Sequence, residues 1–475
     1  MSREIIRYKP VDEPVIPGSM MKPEKGLEPL GLFISTYGCQ MNDNDSERMV
    51  SLLEFMNYTQ VPSPEQASLI IINSCSVREK PVHKVQSEVG RYRKLKDKNP
   101  NLKIGVAGCV AQQEKDKLLK DLPLLDFVMG PDNIDSLPKI VSDLDKAGDE
   151  YNRINAAKFK HQEPYHVETL VRNAGVSTFV NITKGCDNFC TFCVVPYTRG
   201  RERSRPYTHL VDDINKLVKK GVKEVTLLGQ NVNSYKCESG VNFANLLKGL
   251  YKDTDIKRIR YTTSHPKDFS DELVEISRDL KDKICEYIHL PVQSGSSEVL
   301  ERMNRGYDRE HYLKIVDKIK KEIPAVSLST DIIVGFPGET DEQFEETLSL
   351  LEAVKFEAVY AFKYSPRPFT KAARFEDQVP EDVQKERLDR LFKLQARITE
   401  EVSERYTDQV VEVLVEGQDL ETGIYKGRNE QNRMVYFKAL DSLTEMDLTG
   451  KILPIKVTEV MRSTLKGEMM SGDVN

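Results

Sequence analysis

Residues 184–205 read KGCDNFCTFCVVPYTRGRERSR and set Cys186, Cys190 and Cys193 in a C-x3-C-x2-C array. Three thiols are one short of a closed structural zinc site and one more than a disulfide uses. A 4Fe–4S cluster is held by cysteine thiolates, normally four, so three leave one iron open to another ligand. The array therefore predicts a cofactor that reacts. The blander readings are buried thiols grouped by chance, or a zinc site closed by a distant fourth ligand. Phe189 and Phe192, between the cysteines, would screen such a cluster from water. Just beyond it come Arg199, Arg201, Arg203 and Arg205, with Lys184 nearby. Guanidiniums at alternate positions of an extended segment share one face, and such a row suits nucleic-acid phosphates. The alternative is a solvated loop.

A second set of cysteines is spread along the chain. GLFISTYGC ends at Cys39, SLIIINSC at Cys75 and KIGVAGC at Cys109. Each is an apolar run of strand type followed by a polar, helix-forming stretch such as DNDSERMVSLLEFM. Short buried strands alternating with helices imply a parallel sheet with crossover helices. Ligands of open α/β sheets lie outside the carboxyl ends of the strands, where all three cysteines fall. The spacing is too wide for a zinc knuckle, yet the topology brings the thiols to one edge.

The same alternation resumes at residue 177 with STFVNITKGC, KEVTLLGQNVNSY, RIRYTTSHP, CEYIHLPVQSG, VSLSTDIIVGFPGE and EAVYAFKYSPRP. Six strands make a partial barrel, whereas a full (β/α)8 barrel needs eight. Residues 380–404 predict a long charged helix, and the short Gly-broken runs after it predict a small all-β barrel. The fold class is thus α/β. It comprises a disordered tail at 1–28, a parallel α/β cluster domain at 29–148 and a linker at 149–176. A partial (β/α)6 barrel with its closing helix follows at 177–404, then an all-β barrel at 405–467 and a tail at 468–475. At 475 residues with 30% charged and a net charge of −6, the chain has no global basic excess, so local basic stretches must meet any nucleic acid. No apolar run is long enough to span a bilayer, and the first residues carry no hydrophobic signal core. A cytoplasmic protein is implied, in which eight cysteines read as ligands or buried thiols rather than disulfides. Cys237 and Cys285 have no partner spacing and read as non-ligands, Cys285 buried and Cys237 in a polar loop.

The loop array after a β-strand, with an aromatic before its last cysteine, resembles the radical S-adenosylmethionine (SAM) enzymes. In that family the open iron chelates SAM, and one electron splits it into methionine and a 5′-deoxyadenosyl radical. YGCQMNDNDSE, NSCSVRE and AGCVAQ extend the resemblance to the methylthiotransferases, over about residues 30–467. The C-terminal stretch with NRMVYF resembles the RNA-binding TRAM module. GQNVNSY, YTRGRERSRP and YGCQMN are similar to the MiaB-type tRNA branch, which acts on N6-isopentenyladenosine beside the anticodon. The sister branches act on threonylcarbamoyl-adenosine of tRNA or on a ribosomal-protein aspartate, and their characteristic motifs do not occur here.

The resemblance implies two 4Fe–4S clusters, one on Cys186, Cys190 and Cys193 and an auxiliary one on Cys39, Cys75 and Cys109. One SAM would methylate a sulfur of the auxiliary cluster, and a second would yield the radical that takes hydrogen from the adenine ring. Gln230, Asn231, Ser264, His265, Gln293, Ser294, Asp331 and Phe336, at the ends of successive strands, become candidates for SAM or substrate contacts. Arg199, Arg201, Arg203 and Arg205 become candidates for RNA contacts, as do Arg428 and Arg433 with Lys426 and Lys438. The implied partners are the tRNA anticodon stem-loop, an electron donor such as flavodoxin or ferredoxin, and an iron–sulfur carrier, with the enzyme a monomer away from the membrane. One feature fits poorly. Residues 406–475 hold 12 acidic and 8 basic residues, net −4, where an RNA-binding barrel should show a basic face.

Overall fold

The computed structural model describes residues 5–8, 28–76, 81–146, 153–159, 165, 169, 175–440 and 446–470. They fall into two compact units. The first takes in residues 1–173, 183–187 and 193–205, and the second takes in 174–182, 188–192 and 206–475.

The first unit is built on seven strands: β1 (Ile5–Arg7), β2 (Leu30–Tyr37), β3 (Tyr58–Gln60), β4 (Leu69–Ser74), β5 (Lys103–Ala107), β6 (Phe127–Met129) and β7 (Arg153–Ala156). All pair in parallel, in the order β1-β7-β6-β5-β4-β2-β3. Strands covered on both faces read as continuous apolar runs, and LIII of β4 is such a run. Leu69 and Ile71 pack with Met49, Leu52 and Leu53 of the helix Gln40–Glu54. Ile70 and Ile72 face the other way, onto Val85 and Val89.

Two expected boundaries are corrected. The linker expected at 149–176 contains β7, which sits inside the sheet, and the tail expected at 1–28 contains β1, which pairs with it. Both strands are three or four residues long, too short to show a hydrophobic period. Residues 1–4 and 9–27 of the expected tail lie outside the described residues.

The second unit carries the six expected strands: β8 (Ser177–Asn181), then, after the short antiparallel pair β9 (Thr183–Lys184) and β10 (Arg203–Ser204) of the first unit, β11 (Glu224–Leu228), β12 (Arg258–Tyr261), β13 (Tyr287–His289), β14 (Ser327–Val334) and β15 (Ala358–Lys363). β8, β11 and β12 form one parallel sheet, and β13, β14 and β15 another. The Ile259–Ile284 bridge and the bond from Ser264 N to the His289 carbonyl join the two, so the partial barrel is in chain order. The long helix Glu381–Ser403 packs on β15.

The C-terminal barrel closes in the order β16-β17-β18-β20-β19, from β16 (Val410–Gln418), β17 (Tyr425–Arg428), β18 (Met434–Lys438), β19 (Ile452–Val460) and β20 (Thr464–Met469). β20, which carries the barrel past the expected end at 467, has little apolar alternation. Its pairing with β18 and β19 defines it.

Candidate functional site

At the carboxyl edge of the seven-stranded sheet, Cys39, Cys75 and Cys109 come together. The Cys75 thiol hydrogen-bonds both others. Two glycines permit this approach. A Cβ on Gly38 would stand 2.5 Å from Cys75 Cβ, and one on Gly108 would stand 2.4 Å from Asn73 Oδ1. Gly108 also has φ +88°, which an L side chain rarely adopts. Below the thiols, Asn42 and Asn73, both fully buried, brace the strand ends. Asn42 Nδ2 donates to Asn73 Oδ1 at 3.0 Å, and Asn73 Nδ2 donates to the Asn42 carbonyl at 2.8 Å and to Ser46 Oγ at 2.9 Å. Cys39 Sγ lies 3.5 Å from Asn42 Oδ1. These asparagines escaped the sequence reading, although the N of YGCQMN and of INSC was the available signal.

The electrostatics favour thiolates at Cys39 and Cys109. The Cys75 thiol donates to Cys39 and Cys109 and, against the opposing effect of burial, brings each down to about 6, with the Arg199 charge adding to the pull. Cys75 is itself pushed well up. Among the described residues, no group of three or more His, Cys, Asp or Glu could hold a single metal ion. Cys75 in contact with both Cys39 and Cys109, the latter two held toward the anion beside a guanidinium, suits a group that takes several thiolates at once.

Arg199 differs from expectation. It is 3% exposed, and its Nη2 pairs with Asp45 Oδ2 at 2.8 Å. The preceding turn of helix, Val195–Thr198, packs on Cys109–Glu114 and so delivers this side chain to Cys109. The expected one-sided row of arginines does not form. The helical turn and Gly200 at φ +81° break the extended path. Arg205 is 1% exposed and donates to Thr169 Oγ1 at 3.0 Å. Arg203 shares Asp132 with the buried Lys184. Arg201, whose side chain is 69% exposed and 3.2 Å from Asp187, keeps a solvent-facing guanidinium. Arg199 and Arg205 are therefore unavailable to phosphates.

In the loop array, Cys190 is buried and Cys186 and Cys193 half-buried. Thr191 is anchored by N–H to the Met303 carbonyl at 3.0 Å and by Oγ1 to the Arg302 carbonyl at 2.9 Å. Phe192 packs on Val299, Met303 and Phe336, whereas Phe189 is exposed. Arg305 donates to Cys190 Sγ at 3.3 Å and was not anticipated.

The strand-end candidates lie on one edge of the partial barrel. Gln230, half-buried, follows β11. Asn231 Nδ2 donates to Asp268 Oδ2 at 2.7 Å. Ser264 Oγ and His265 Nε2 are buried with no hydrogen-bond partner, as polar atoms awaiting a ligand would be. Burial, then the Arg305 and Lys267 charges, hold His265 down to about 2, so its imidazole is neutral. Gln293 has φ +78°, and Ser294 Oγ lies 3.4 Å from Thr347 Oγ1. Asp331 stands 3.5 Å from His289 Nε2. Phe336 departs from expectation. Its ring is fully buried, edge-on to Tyr364 and Phe375, so the GFPGE turn can present only backbone to a ligand.

The expected basic hairpin of the C-terminal barrel is a docking element instead. Arg258 donates to the carbonyls of Arg428 and Glu412, and Arg260 to those of Asn429 and Glu430. Arg433 is buried against Glu357, and Arg428 pairs with Glu416 at 3.1 Å. Carboxylates already engage both arginines expected to hold RNA. The exposed basic groups lie elsewhere. Lys426 and Lys466 flank Tyr436 in register across β17, β18 and β20, Lys466 pairing with the exposed Glu459 at 2.9 Å, with Lys438 two residues along. Cys237 and Cys285 are both buried, Cys237 beside Ser239 and Cys285 pushed by burial up to about 12.

Radical SAM superfamily matches residues 180–351, Uncharacterized protein family UPF0004 matches 31–130, and TRAM domain matches 404–470. A tRNA-2-methylthio-N(6)-dimethylallyladenosine synthase of Bdellovibrio bacteriovorus is 58% identical over 93% of this chain and 95% of its own. A protein of the same name from Moorella thermoacetica is 45% identical over 92% and 98%. Among solved structures, the radical S-adenosylmethionine methyltransferase TsrM from Kitasatospora setae shares the fold at a TM-score of 0.53. It is 14% identical, over 73% of this chain and 77% of that one. The chain therefore belongs to the radical SAM methylthiotransferases, in the family of the tRNA-2-methylthio-N(6)-dimethylallyladenosine synthases.

Proposed function

We propose that this chain transfers a methylthio group to N6-isopentenyladenosine beside the anticodon of tRNA. The observation that carries the reading is the meeting of Cys39, Cys75 and Cys109 at one sheet edge, in a chain that also holds the C-x3-C-x2-C loop. Two 4Fe–4S clusters and SAM would supply, when bound, the reducing electron, the hydrogen-abstracting radical, the methyl group and the sulfur.

The chain's own residues supply position and charge. Cys186, Cys190 and Cys193 would hold one cluster and Cys39, Cys75 and Cys109 the other, with Asn42 and Asn73 fixing the second set. Ser264 and His265 present unmatched polar atoms to SAM or substrate; Nδ1 of the neutral imidazole at 265 accepts from Lys267 N–H at 3.2 Å, so Nε2 carries the proton and can donate one hydrogen bond there. Gln230, Asn231, Gln293, Ser294 and Asp331 are further contacts on the same edge. Arg201 and the Lys426–Tyr436–Lys466 row are the RNA-facing groups. A ring between two ammonium groups can stack on a base while the lysines meet phosphates. A flavodoxin- or ferredoxin-type donor and an iron–sulfur carrier would serve the clusters. No described helix is long and apolar enough to cross a membrane, and we place the reaction in the cytoplasm.

The test is mass spectrometry of tRNA nucleosides from a deletion strain. The methylthio nucleoside should vanish and N6-isopentenyladenosine accumulate. The wild-type gene should reverse both, and a Cys75→Ala gene should not. Unchanged nucleosides in the deletion strain would remove this substrate.

A further inference from the structure

Arg305 lies in the turn after the helix Ser297–Arg302 and is 6% exposed. Its Nη1 donates to Cys190 Sγ at 3.3 Å, its Nη2 to the Pro291 carbonyl at 2.9 Å and its Nε to the Tyr307 hydroxyl at 2.9 Å. Tyr307 in turn donates to the carbonyls of Pro291 and Val292, at 3.2 and 2.9 Å. The guanidinium is therefore fixed on all three nitrogens. No carboxylate among the described residues pairs with it. A buried charge left without a counter-charge is unfavourable, and a ligating thiolate beside it would supply one. Burial pushes the Tyr307 phenol up, away from ionisation. The remaining candidate in contact is the Cys190 sulfur.

The loop does not depend on Arg305 for its place. The bonds of Thr191 to the Met303 and Arg302 carbonyls, and of Ala372 N to the Thr191 carbonyl at 2.9 Å, hold the backbone around Cys190. What Arg305 adds is one N–H and one positive charge on a sulfur.

We propose that Arg305 is a positioning residue for the cluster held by the loop cysteines, supplying the counter-charge and an N–H···S hydrogen bond to the Cys190 thiolate and thereby raising the reduction potential. Reduction adds negative charge to a cluster, and donors to its sulfurs stabilise that form. The inference rests on the reading that the loop holds a reducible cluster.

The test uses the full chain with Cys39, Cys75 and Cys109 replaced by Ala, reconstituted without oxygen, so that one cluster remains. The potential is read from the paramagnetic resonance signal of the reduced cluster against poised dithionite, alongside iron content. Arg305→Met should lower the reduced-to-oxidised ratio at a fixed potential at least tenfold, about 59 mV for one electron. Arg305→Lys, which keeps the charge, should move it less. Loss of iron in Arg305→Met with retention in Arg305→Lys would also support the proposal. An unchanged potential at full iron in Arg305→Met would overturn it, as would equal shifts, or complete loss of iron, in both variants. A parent chain with no reducible iron would fail the cluster reading itself, before Arg305 is touched.

Discussion

Replacing Asp45 by Ala leaves the Arg199 guanidinium buried beside the N-terminal thiols without its carboxylate. The pair is a strong one to break. The ions stand 2.8 Å apart, with side chains 4% and 10% exposed, so water cannot take the place of the missing carboxylate. Removing one partner of a buried pair costs about 3–5 kcal/mol. Where local opening exposes the edge, that is roughly two to three and a half powers of ten in amide exchange, at about 1.4 kcal/mol per tenfold. Exchange mass spectrometry of the metal-free chain should show the faster exchange in peptides covering β2 and the helix Gln40–Glu54. Arg199→Ala should be comparable. The double variant Arg199→Met with Asp45→Leu should cost less than either alone, because it strands no charge. Arg201→Ala is the control. Its exposed pair with Asp187 contributes about 1 kcal/mol or less. If Asp45→Ala and Arg199→Ala leave exchange within about threefold of wild type, the arginine is not a buried ion-pair partner and the account of this edge is wrong.

Reconstituted without oxygen, the chain should bind about eight irons, and about four when either cysteine set is replaced by Ala. Only loss of the loop set should abolish reductive SAM cleavage, and equal loss from both would refute the division of labour. Cys237→Ala and Cys285→Ala should keep the full iron content, since Cys237 is engaged by Ser239 and burial holds the Cys285 thiol protonated; a deficit would expose a missed ligand. Lys426→Ala with Lys466→Ala should flatten the salt dependence of tRNA binding, by up to about 0.9 log–log units for each phosphate no longer neutralised, and an unchanged slope would clear the barrel face of an RNA role. His265, held neutral when folded, takes up a proton on unfolding below its ordinary value of about 6.5. Its contribution to stability is thus complete above that pH and lost as pH falls, at up to about 1.4 kcal/mol per unit. Acid unfolding should be less steep in His265→Gln, and an unchanged steepness would mean the imidazole is not buried neutral.

Local pattern was enough to read the parallel strands, the six-strand partial barrel and the strand-end position of three distant cysteines. A buried strand must be apolar, and parallel topology puts ligands at its carboxyl end. Periodicity could not reveal β1 and β7, because three or four residues carry no period and only their neighbours in the sheet define them. The arginines show the same limit more sharply. Composition marks Arg199, Arg205 and Arg433 as cationic, but whether a cation faces phosphate or a carboxylate depends on what folds against it. For Arg199 that is Asp45, 154 positions away in the chain, and for Arg433 it is Glu357, 76 away. Arg305 on Cys190 is likewise a contact across 115 positions, between a loop and a turn with no shared motif. Residue type and spacing thus determined which chemistry the chain can carry. The tertiary structure alone decided which charges hold that chemistry in place, because burial and counter-charge belong to pairs that are not neighbours in sequence.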